Sequence, residues 1–308
     1  MSNKFIVTAA LTGAIHTPTM SPYLPITPDE LSEEARRASE AGAAVVHVHA
    51  RNPETGQPSA DSGVFGEILA KIKSGCNAVV CTTTGGGFGM TVEQRVAVVK
   101  TYSPELASLN AGSLNFALHP LLEKIKEFKY DWEPQYLAMS EDFIFPNTFK
   151  TLSEFSQFFD RKNTKPEFEI YDTGMLSNLA FLLDRGQVKK PVYLQFVLGI
   201  LGGMPATVNN LVFLHNSARE ILGDGFVWSV CAAGKEQFKM CNVAILMDGF
   251  CRVGLEDNLY LERGRLAKSS AEQVEKIIRI GKEHGLEPAT PDEARQILGL
   301  KGIDAVGF

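Results

Sequence analysis

An α/β fold of the (β/α)8 TIM barrel type, in a single domain, is the architecture that the sequence predicts. Short apolar runs alternate with amphipathic segments along the chain, and this is the pattern of parallel strands joined by helices. Eight such runs fit within the roughly 250 residues that a barrel of this type uses, and the chain has 308 residues. An open, doubly wound sheet shows the same alternation and is the alternative.

The predicted strands are short, mostly apolar runs with few charges. Strands that are buried on both faces of a sheet have this composition, whereas strands with one solvated face alternate between apolar and polar residues. Eight runs qualify, at residues 5–10, 44–50, 78–83, 106–110, 167–171, 192–197, 226–231 and 249–253.

The predicted helices show clear start and stop signals. In "TPDELSEEARRASEAG", Thr27 is an N-cap candidate, Pro28 suits the first helical position, and Glu30 completes a capping box. Gly42 ends that helix. Further helices are predicted in "TVEQRVAVVKTY", in "SAEQVEKIIRIGKEHG" and in "TPDEARQILG", where Thr290 repeats the cap.

The chain is predicted to form one domain over residues 1–308, because no composition shift or Pro/Ser-rich linker divides it. The stretch 117–166 is longer than one strand-to-strand crossover requires, and it is rich in aromatic residues. We interpret it as an insertion after strand four that caps the barrel or contacts another subunit.

Composition indicates a cytoplasmic protein without a nucleic-acid or membrane partner. The net charge of -6 is spread along the chain without a basic patch, which disfavours a nucleic-acid partner. No apolar run reaches the roughly 18 residues of a membrane span, and the N-terminus lacks the features of a signal peptide. The five cysteines include no C-x-x-C pair, so they are expected to be reduced and buried.

The "VVHVHARNPETG" stretch holds two histidines, His47 and His49, in a predicted strand. Alternate residues of a strand share a face. Val46, Val48 and Ala50 suit packing against helices, so the histidines are expected to point into the barrel near the carboxyl end of strand two, where the active sites of such barrels lie. Two imidazoles there can bind a metal ion; two histidines satisfied by hydrogen bonds are the alternative.

The "RVGLEDN" segment after the last strand offers a third ligand. Glu256 and Asp257 would be costly to bury beside Arg252 without a metal or a counter-charge. One carboxylate can bind the metal while the other acts as a base that Arg252 orients. A zinc ion with open positions fits two imidazoles and one carboxylate. A solvated loop with an ordinary ion pair is the alternative.

Two polar loops follow strands three and four. In "CTTTGGGFG", consecutive glycines expose backbone N–H groups and Thr83 adds a hydroxyl, which suits a carboxylate or an oxyanion. A flexible turn is the alternative. In "LNAGSLNF", Ser113 and Asn115 add short polar groups that, taken alone, are more often turn residues.

Seven motifs together resemble the β-keto acid cleavage enzyme family over nearly the whole chain. The resemblance implies a barrel fold, a zinc ion, a homo-oligomer that is a tetramer, and a reaction in which a β-keto acid and acetyl-CoA give acetoacetate and a new acyl-CoA. The motifs occur in the order "TAALTGA", "LPITPDE", "HVHARNPETGQPS", "TTTGGG", "LNAGSLNF", "QFVLGILGGMPA" and "GFCRVGLEDN".

The resemblance also implies roles for single residues. Zinc would be bound by His47, His49 and Glu256, while Asp257, paired with Arg252, would remove a proton from the carbon between the carboxylate and the ketone of the substrate. Zinc would stabilise the enolate, and the carbanion would attack the thioester of acetyl-CoA. The positions implied in carboxylate binding are Thr83, Gly86, Ser113 and Asn115.

One position departs from the described member of the family, which acts on an amino-substituted keto acid. That member has a glutamate, which meets the substrate ammonium, where this chain has Ile15 in "LTGAIH". Because a buried ammonium would lose its counter-ion, a neutral aliphatic tail is expected instead. The neighbouring His16, if protonated, could alternatively receive an anionic tail.

Two other functions share some of these features. A different metal-dependent barrel enzyme, an aldolase or a hydrolase, would not require acetyl-CoA. A non-catalytic, metal-dependent binding protein would bind its ligand without turnover, and the pairing of Arg252 with Asp257 would then have no purpose.

Overall fold

A closed barrel of parallel strands forms the centre of the protein in the computed structural model, which describes residues 3–85 and 89–308. Each strand pairs with the next one along the chain, and the last pairs with the first, so the barrel prediction is confirmed and the open sheet is excluded. The barrel strands are β1 (Val7–Ala10), β2 (Val45–Val48), β3 (Val79–Thr82), β4 (Leu106–Asn110), β5 (Lys165–Ile170), β6 (Val192–Leu198), β7 (Phe226–Ala232) and β8 (Phe250–Val253).

The eight predicted strands overlap these eight, with differences at their ends. Phe5 belongs to a separate two-residue strand, Lys4–Phe5, which pairs with Glu287–Pro288. Ala50–Arg51 leaves the barrel and forms a small hairpin with Pro58–Ser59. In both places the apolar run includes residues that pair outside the barrel. The sequence pattern does not show where the pairing partner changes.

Helices follow the strands as predicted, and their caps agree with the sequence. Thr27 and Glu30 form a capping box, as do Thr290 and Glu293, and Ser269 is the N-cap of its helix. The helices of the described ranges are α1 (Pro28–Glu40), α2 (Ser62–Gly75), α3 (Val92–Tyr102), α4 (Trp132–Met139), α5 (Phe149–Lys162), α6 (Thr173–Asp184), α7 (Val208–Leu222), α8 (Gln237–Leu246), α9 (Ser270–Glu283) and α10 (Pro291–Leu298).

The bottom of the barrel is filled by apolar side chains. Ile6, Val45, Val79 and Leu106 form one buried cluster there, and Leu298 of α10 closes it from below. A larger apolar cluster fills the space between the strands and the surrounding helices. Buried polar side chains occur both within the strands and at their carboxyl ends.

The segment between β4 and α5 lies at the mouth of the barrel. Leu114–Asn115 pairs antiparallel with Ile144–Phe145, and α4 packs beside them through Tyr136 and Leu137. Helix α5, which falls inside the stretch 117–166, packs on the barrel through Leu152, Phe155 and Phe159, like the other helices. Whether this stretch caps the barrel or contacts another subunit stays a prediction.

None of the helices in the described ranges is both long enough and apolar enough to cross a membrane.

Candidate active site

The two histidines of β2 and its carboxyl end lie side by side inside the barrel. The rings of His47 and His49 have centroids 5.1 Å apart and meet at 65°. Both side chains are buried, while Val46 and Val48 pack outward in the apolar layer. The two-residue period of a strand therefore places both imidazoles on the interior face, as the sequence predicts.

Glu256 approaches both imidazoles from the loop after β8. Its Oε1 atom lies 3.6 Å from His47 Nε2 and 3.4 Å from His49 Nε2. The other oxygen, Oε2, is buried and accepts no hydrogen bond from any described residue. Two imidazole nitrogens and a carboxylate oxygen within 4.8 Å of one another form a donor set that suits a divalent metal.

Gly13, in the loop after β1, makes this approach possible. Its φ is +59°, and a Cβ atom there would fall well inside van der Waals contact of the Glu256 side chain. Strand β1 lies between β2 and β8 in the ring of strands, so Glu256 reaches the histidines across the end of β1. Only glycine leaves this path open.

Arg252 of β8 holds two carboxylates. Its Nε and Nη2 atoms donate to the two oxygens of Asp257 over 2.9 and 3.0 Å, and Nη2 also donates to Glu256 Oε1 over 2.6 Å. Its Nη1 atom lies 3.5 Å from Glu169 Oε1. The bidentate pairing fixes the orientation of the Asp257 carboxylate.

The pKa values of the neighbouring carboxyl groups of Asp257 and Glu256 shift in opposite directions. Burial raises the pKa of Asp257 above its ordinary value, although Arg252 acts against that shift. Burial also acts to raise the pKa of Glu256, but the positive charge of Arg252, together with smaller contributions from His49 and His47, outweighs burial and holds that pKa well below its usual range. Glu256 is thus suited to stay a carboxylate ligand, and Asp257 to accept a proton.

A cavity opens above these groups at the mouth of the barrel. Its floor is polar and includes His49, Glu169, Arg252, Glu256 and Asp257. Its wall is apolar and comes largely from the segment between β4 and α5, together with loops after β1, β5 and β6. The apolar side chains of the wall include Ile15, Phe116, Leu118, Phe143, Phe145 and Ile200.

The predicted carboxylate-binding residues do not all lie at this cavity. Thr83 is buried and lines it, while Gly86 lies outside the described residues. Ser113 and Asn115 are exposed and are not among the described lining residues. The Ser113 hydroxyl accepts the backbone N–H of Asn147, and Asn115 belongs to the small hairpin with Ile144.

Sequence reasoning missed three polar residues at the ends of β4 and β5. Asn110 is buried, lines the cavity, and its Nδ2 atom donates to no described residue. Glu169 and Tyr171 lie beside it on the next strand, and the Tyr171 hydroxyl donates to Glu169 over 3.2 Å. The available signal was position: Asn110 is the last residue of predicted strand four, where barrel active-site residues lie.

The loop after β1 is held by a buried arginine. Arg51 donates to the carbonyl oxygens of Thr12, Gly13 and His16, and also to that of Gly56. This places Ile15 in the cavity wall. His16 points elsewhere: its Nδ1 donates to the Leu255 carbonyl, and burial lowers the pKa of His16 to about 4. A neutral imidazole there does not favour an anionic tail.

Comparison with known proteins identifies relatives over the full length. A protein of Paraburkholderia graminis named 3,5-dioxohexanoate:acetyl-CoA acetone transferase is 45% identical over 305 residues, which are 99% of this chain and 98% of that protein. A 3-keto-5-aminohexanoate cleavage enzyme of Fusobacterium nucleatum is 37% identical over 302 residues, covering 98% of this chain and all of that protein, 100%.

Solved structures agree on the fold. A ternary complex of ObcA with a C4-CoA adduct and oxalate superposes with a TM-score of 0.72 at 21% identity, over 91% of this chain and 68% of that one. The family model described as beta-keto acid cleavage enzyme matches residues 4–300. The chain belongs to the beta-keto acid cleavage enzyme family.

Proposed function

We propose that this enzyme converts a β-keto acid with a neutral tail and acetyl-CoA into acetoacetate and a new acyl-CoA, with zinc as its metal. The observation that supports it best is the adjacency, under an apolar cavity, of the His47, His49 and Glu256 donor set to an Asp257 carboxylate that Arg252 orients. The two relatives, which are named as an acetyl-CoA acetone transferase and a keto acid cleavage enzyme, support the same reaction class.

Zinc would be held by the Nε2 atoms of His47 and His49 and by Glu256, whose Oε2 atom accepts no hydrogen bond from the described residues and is available to it. When bound, the metal would supply Lewis-acid stabilisation of the negative charge that develops on the keto acid oxygens. Three protein ligands would leave coordination positions of the zinc for the substrate, as in catalytic zinc sites.

Asp257 is the proposed base. Burial raises its pKa, and the bidentate Arg252 keeps its carboxylate in one orientation, so it can accept a proton from the carbon between the carboxylate and the ketone. The carbanion then attacks the thioester carbon of acetyl-CoA. The addition product expels CoA as a thiolate, which attacks the former ketone carbon of the substrate. The carbon–carbon bond next to that carbon then breaks to give the new acyl-CoA, and the released carbanion takes the proton back from Asp257 to give acetoacetate.

The substrate carboxylate is proposed to bind Thr83 and Asn110. Both line the cavity, and the Asn110 amide has a donor available within the described part of the chain. Sequence reasoning also assigns this role to Gly86, Ser113 and Asn115, and the exposed positions of Ser113 and Asn115 do not favour them.

The tail of the substrate is proposed to be neutral. Ile15 and the surrounding aromatic side chains offer burial of apolar atoms, which is worth about 0.8 kcal/mol per methylene group. An ammonium or carboxylate in the same place would have to be buried among these apolar groups. The 3,5-dioxohexanoate in the name of the Paraburkholderia graminis relative also has a neutral tail.

A cytoplasmic homo-oligomer, a tetramer, is the proposed state of the protein. Phe149 and Phe181 are in edge-to-face contact on the outer surface and are both exposed, and Phe213 is exposed as well. Large exposed aromatic side chains of this kind are enriched at subunit contacts. Light scattering of the purified protein measures the subunit number.

A substrate panel tests the reaction. The purified, zinc-loaded enzyme is incubated with acetyl-CoA and 3-oxopentanoate, 3-oxohexanoate, 3,5-dioxohexanoate, 5-amino-3-oxohexanoate or 3-oxoadipate, and acetoacetate is measured. We expect acetoacetate from the neutral acids only when acetyl-CoA is present. Turnover without acetyl-CoA would favour an aldolase or hydrolase, and tight binding without turnover would favour a binding protein.

A further inference from the structure

A thiol and a second carboxyl group lie beneath the candidate metal site, and the proposed reaction does not use them. His47 Nδ1, on the far side of the ring from Glu256, lies 3.4 Å from the sulfur of Cys81. That sulfur lies 3.6 Å from Oε2 of Glu167 and donates to it. All three side chains are buried inside the barrel, so they form a continuous line from the metal site into the core.

The register of the strands places these three side chains next to one another. His47 on β2 and Cys81 on β3 are direct partners, so their side chains lie next to each other on the interior face. Glu167 points into the same interior from β5, next to β4. The other oxygen of Glu167, Oε1, has no hydrogen-bond partner among the described residues, so the thiol is the contact the structure shows for this carboxyl group.

The direction of the hydrogen bonds decides which nitrogen of His47 has the proton. A thiol has one S–H, and here it points at Glu167, which leaves the sulfur as an acceptor toward His47. His47 must then donate from Nδ1. In a neutral imidazole the other nitrogen, Nε2, keeps its lone pair, and Nε2 is the atom that faces Glu256.

We propose that Cys81 and Glu167 are positioning residues that hold His47 in its Nδ1–H tautomer, so that Nε2 is available to bind the metal. The inference rests on the proposed metal site and adds to it. Partners of this kind on the second nitrogen of a metal-binding histidine typically change metal affinity by about 10–100-fold. Hydrogen bonds of sulfur are longer than those of a hydroxyl oxygen. The distances from the Cys81 sulfur, 3.4 Å to His47 Nδ1 and 3.6 Å to Glu167 Oε2, agree with this.

The test measures metal affinity in three variants. Zinc affinity is determined by competition with a chelator, and the absorption bands of the cobalt-substituted protein report ligand geometry. We expect Cys81→Ala to bind zinc about 10–100-fold more weakly, with altered cobalt bands. Cys81→Ser keeps a donor and an acceptor and should recover part of the loss. Cys241→Ala, a buried thiol on α8 outside the barrel, should bind zinc like the original protein.

A second measurement is independent of the Cys81 variants. The chain has six histidines, and nitrogen NMR of the metal-free protein with labelled histidine distinguishes the two tautomers, with His47→Gln used to assign the signal. We expect His47 in the Nδ1–H form. An Nε2–H form, or unchanged affinity and unchanged cobalt bands in folded Cys81→Ala, would overturn the inference. If zinc did not bind the original protein, the proposed metal site would fail, while the tautomer measurement would still decide the role of Cys81.

Discussion

Arg252 on β8 and Asp257 in the loop that follows it form a buried bidentate pair, with Nε–Oδ2 and Nη2–Oδ1 distances of 2.9 and 3.0 Å. Apolar packing fills the bottom of the barrel and its outer layer, whereas this ion pair lies in the polar floor of the cavity. It does orient a carboxylate toward the cavity, and that carboxylate is the most direct target for a test of the mechanism.

Asp257→Asn should lower turnover by about 10²–10⁴-fold, the usual effect of losing a general base. The amide keeps the shape of the carboxyl group but does not accept a proton from carbon. Zinc content should stay the same, because Asp257 is not in the proposed ligand set. Asp224→Asn, an exposed change, is the control for acetoacetate formation. Wild-type turnover in Asp257→Asn would make Asp257 a structural residue.

His47→Ala and Glu256→Ala should each lose zinc and activity together. Each change removes one of three proposed protein ligands, and three are what a zinc site with an open position uses. Metal analysis of the dialysed protein, alongside His284→Ala on the surface as a control, measures the loss. A His47→Ala, His49→Ala double variant that keeps one zinc per chain would place the metal elsewhere.

Gly13→Ala should weaken zinc binding while the protein stays folded. The new methyl group would displace Glu256, and the positive φ of +59° adds backbone strain. Gly186→Ala has a similar φ of +68° with nothing within 4 Å of the new methyl group, so it reproduces the strain without the collision. Equal zinc affinity in the two variants would contradict the close approach of Gly13 to Glu256.

Ile15→Glu should shift substrate preference toward 5-amino-3-oxohexanoate. The ratio of kcat/KM for 5-amino-3-oxohexanoate to kcat/KM for 3-oxohexanoate should rise about tenfold or more. A tenfold change corresponds to about 1.4 kcal/mol of differential stabilisation. Ile15→Leu keeps the wall apolar and serves as the control. If the ratio does not move, another residue sets the preference for the tail.

The buried Glu167 carboxyl predicts a pH-dependent effect on stability. Burial raises the pKa of Glu167 to about 7, against an ordinary value of 4.5. The folded state therefore holds this proton more tightly, and the stability that results is complete below pH about 4.5 and is lost as the pH rises to about 7. Glutamine does not titrate, so Glu167→Gln avoids that loss.

Relative to the original protein, Glu167→Gln should gain up to about 3 kcal/mol in free energy of unfolding between pH 4.5 and pH 8. Urea unfolding of the metal-free proteins at several pH values measures this difference. A difference that stays flat, or that falls as the pH rises, would show that the carboxyl group titrates normally in the folded protein.

Much of the fold and part of the site follow from local rules. The two-residue period of a strand places His47 and His49 on one face whatever the surroundings, and the caps at Thr27 and Thr290 depend only on neighbouring residues. The position of Glu256 next to both histidines depends on closure of the barrel, in which β1 lies between β8 and β2. A predicted barrel implies this arrangement, whereas a short sequence motif does not.

The carboxylate-binding roles of Ser113 and Asn115 stay predictions, and they depend on side-chain direction after a strand ends. Ser113 and Asn115 follow β4 in sequence, but the backbone leaves the barrel there, and their side chains are exposed. The sequence pattern alone does not show that Asn110, Glu169 and Tyr171 face the barrel interior, because a polar residue inside an apolar run can lie on either face of its strand. That depends on the three-dimensional register of neighbouring strands.

The location of the donor set also has a consequence for folding. His47 and His49 come from the second strand and its end, Glu256 follows the last strand, and β1 lies between them where the ring closes. A metal bound there would therefore cross-link the beginning of the chain to its end at the seam. Its binding free energy would add directly to the free energy of unfolding of the barrel. A newly synthesised chain would therefore complete this set of ligands only after its last strand had paired with its first.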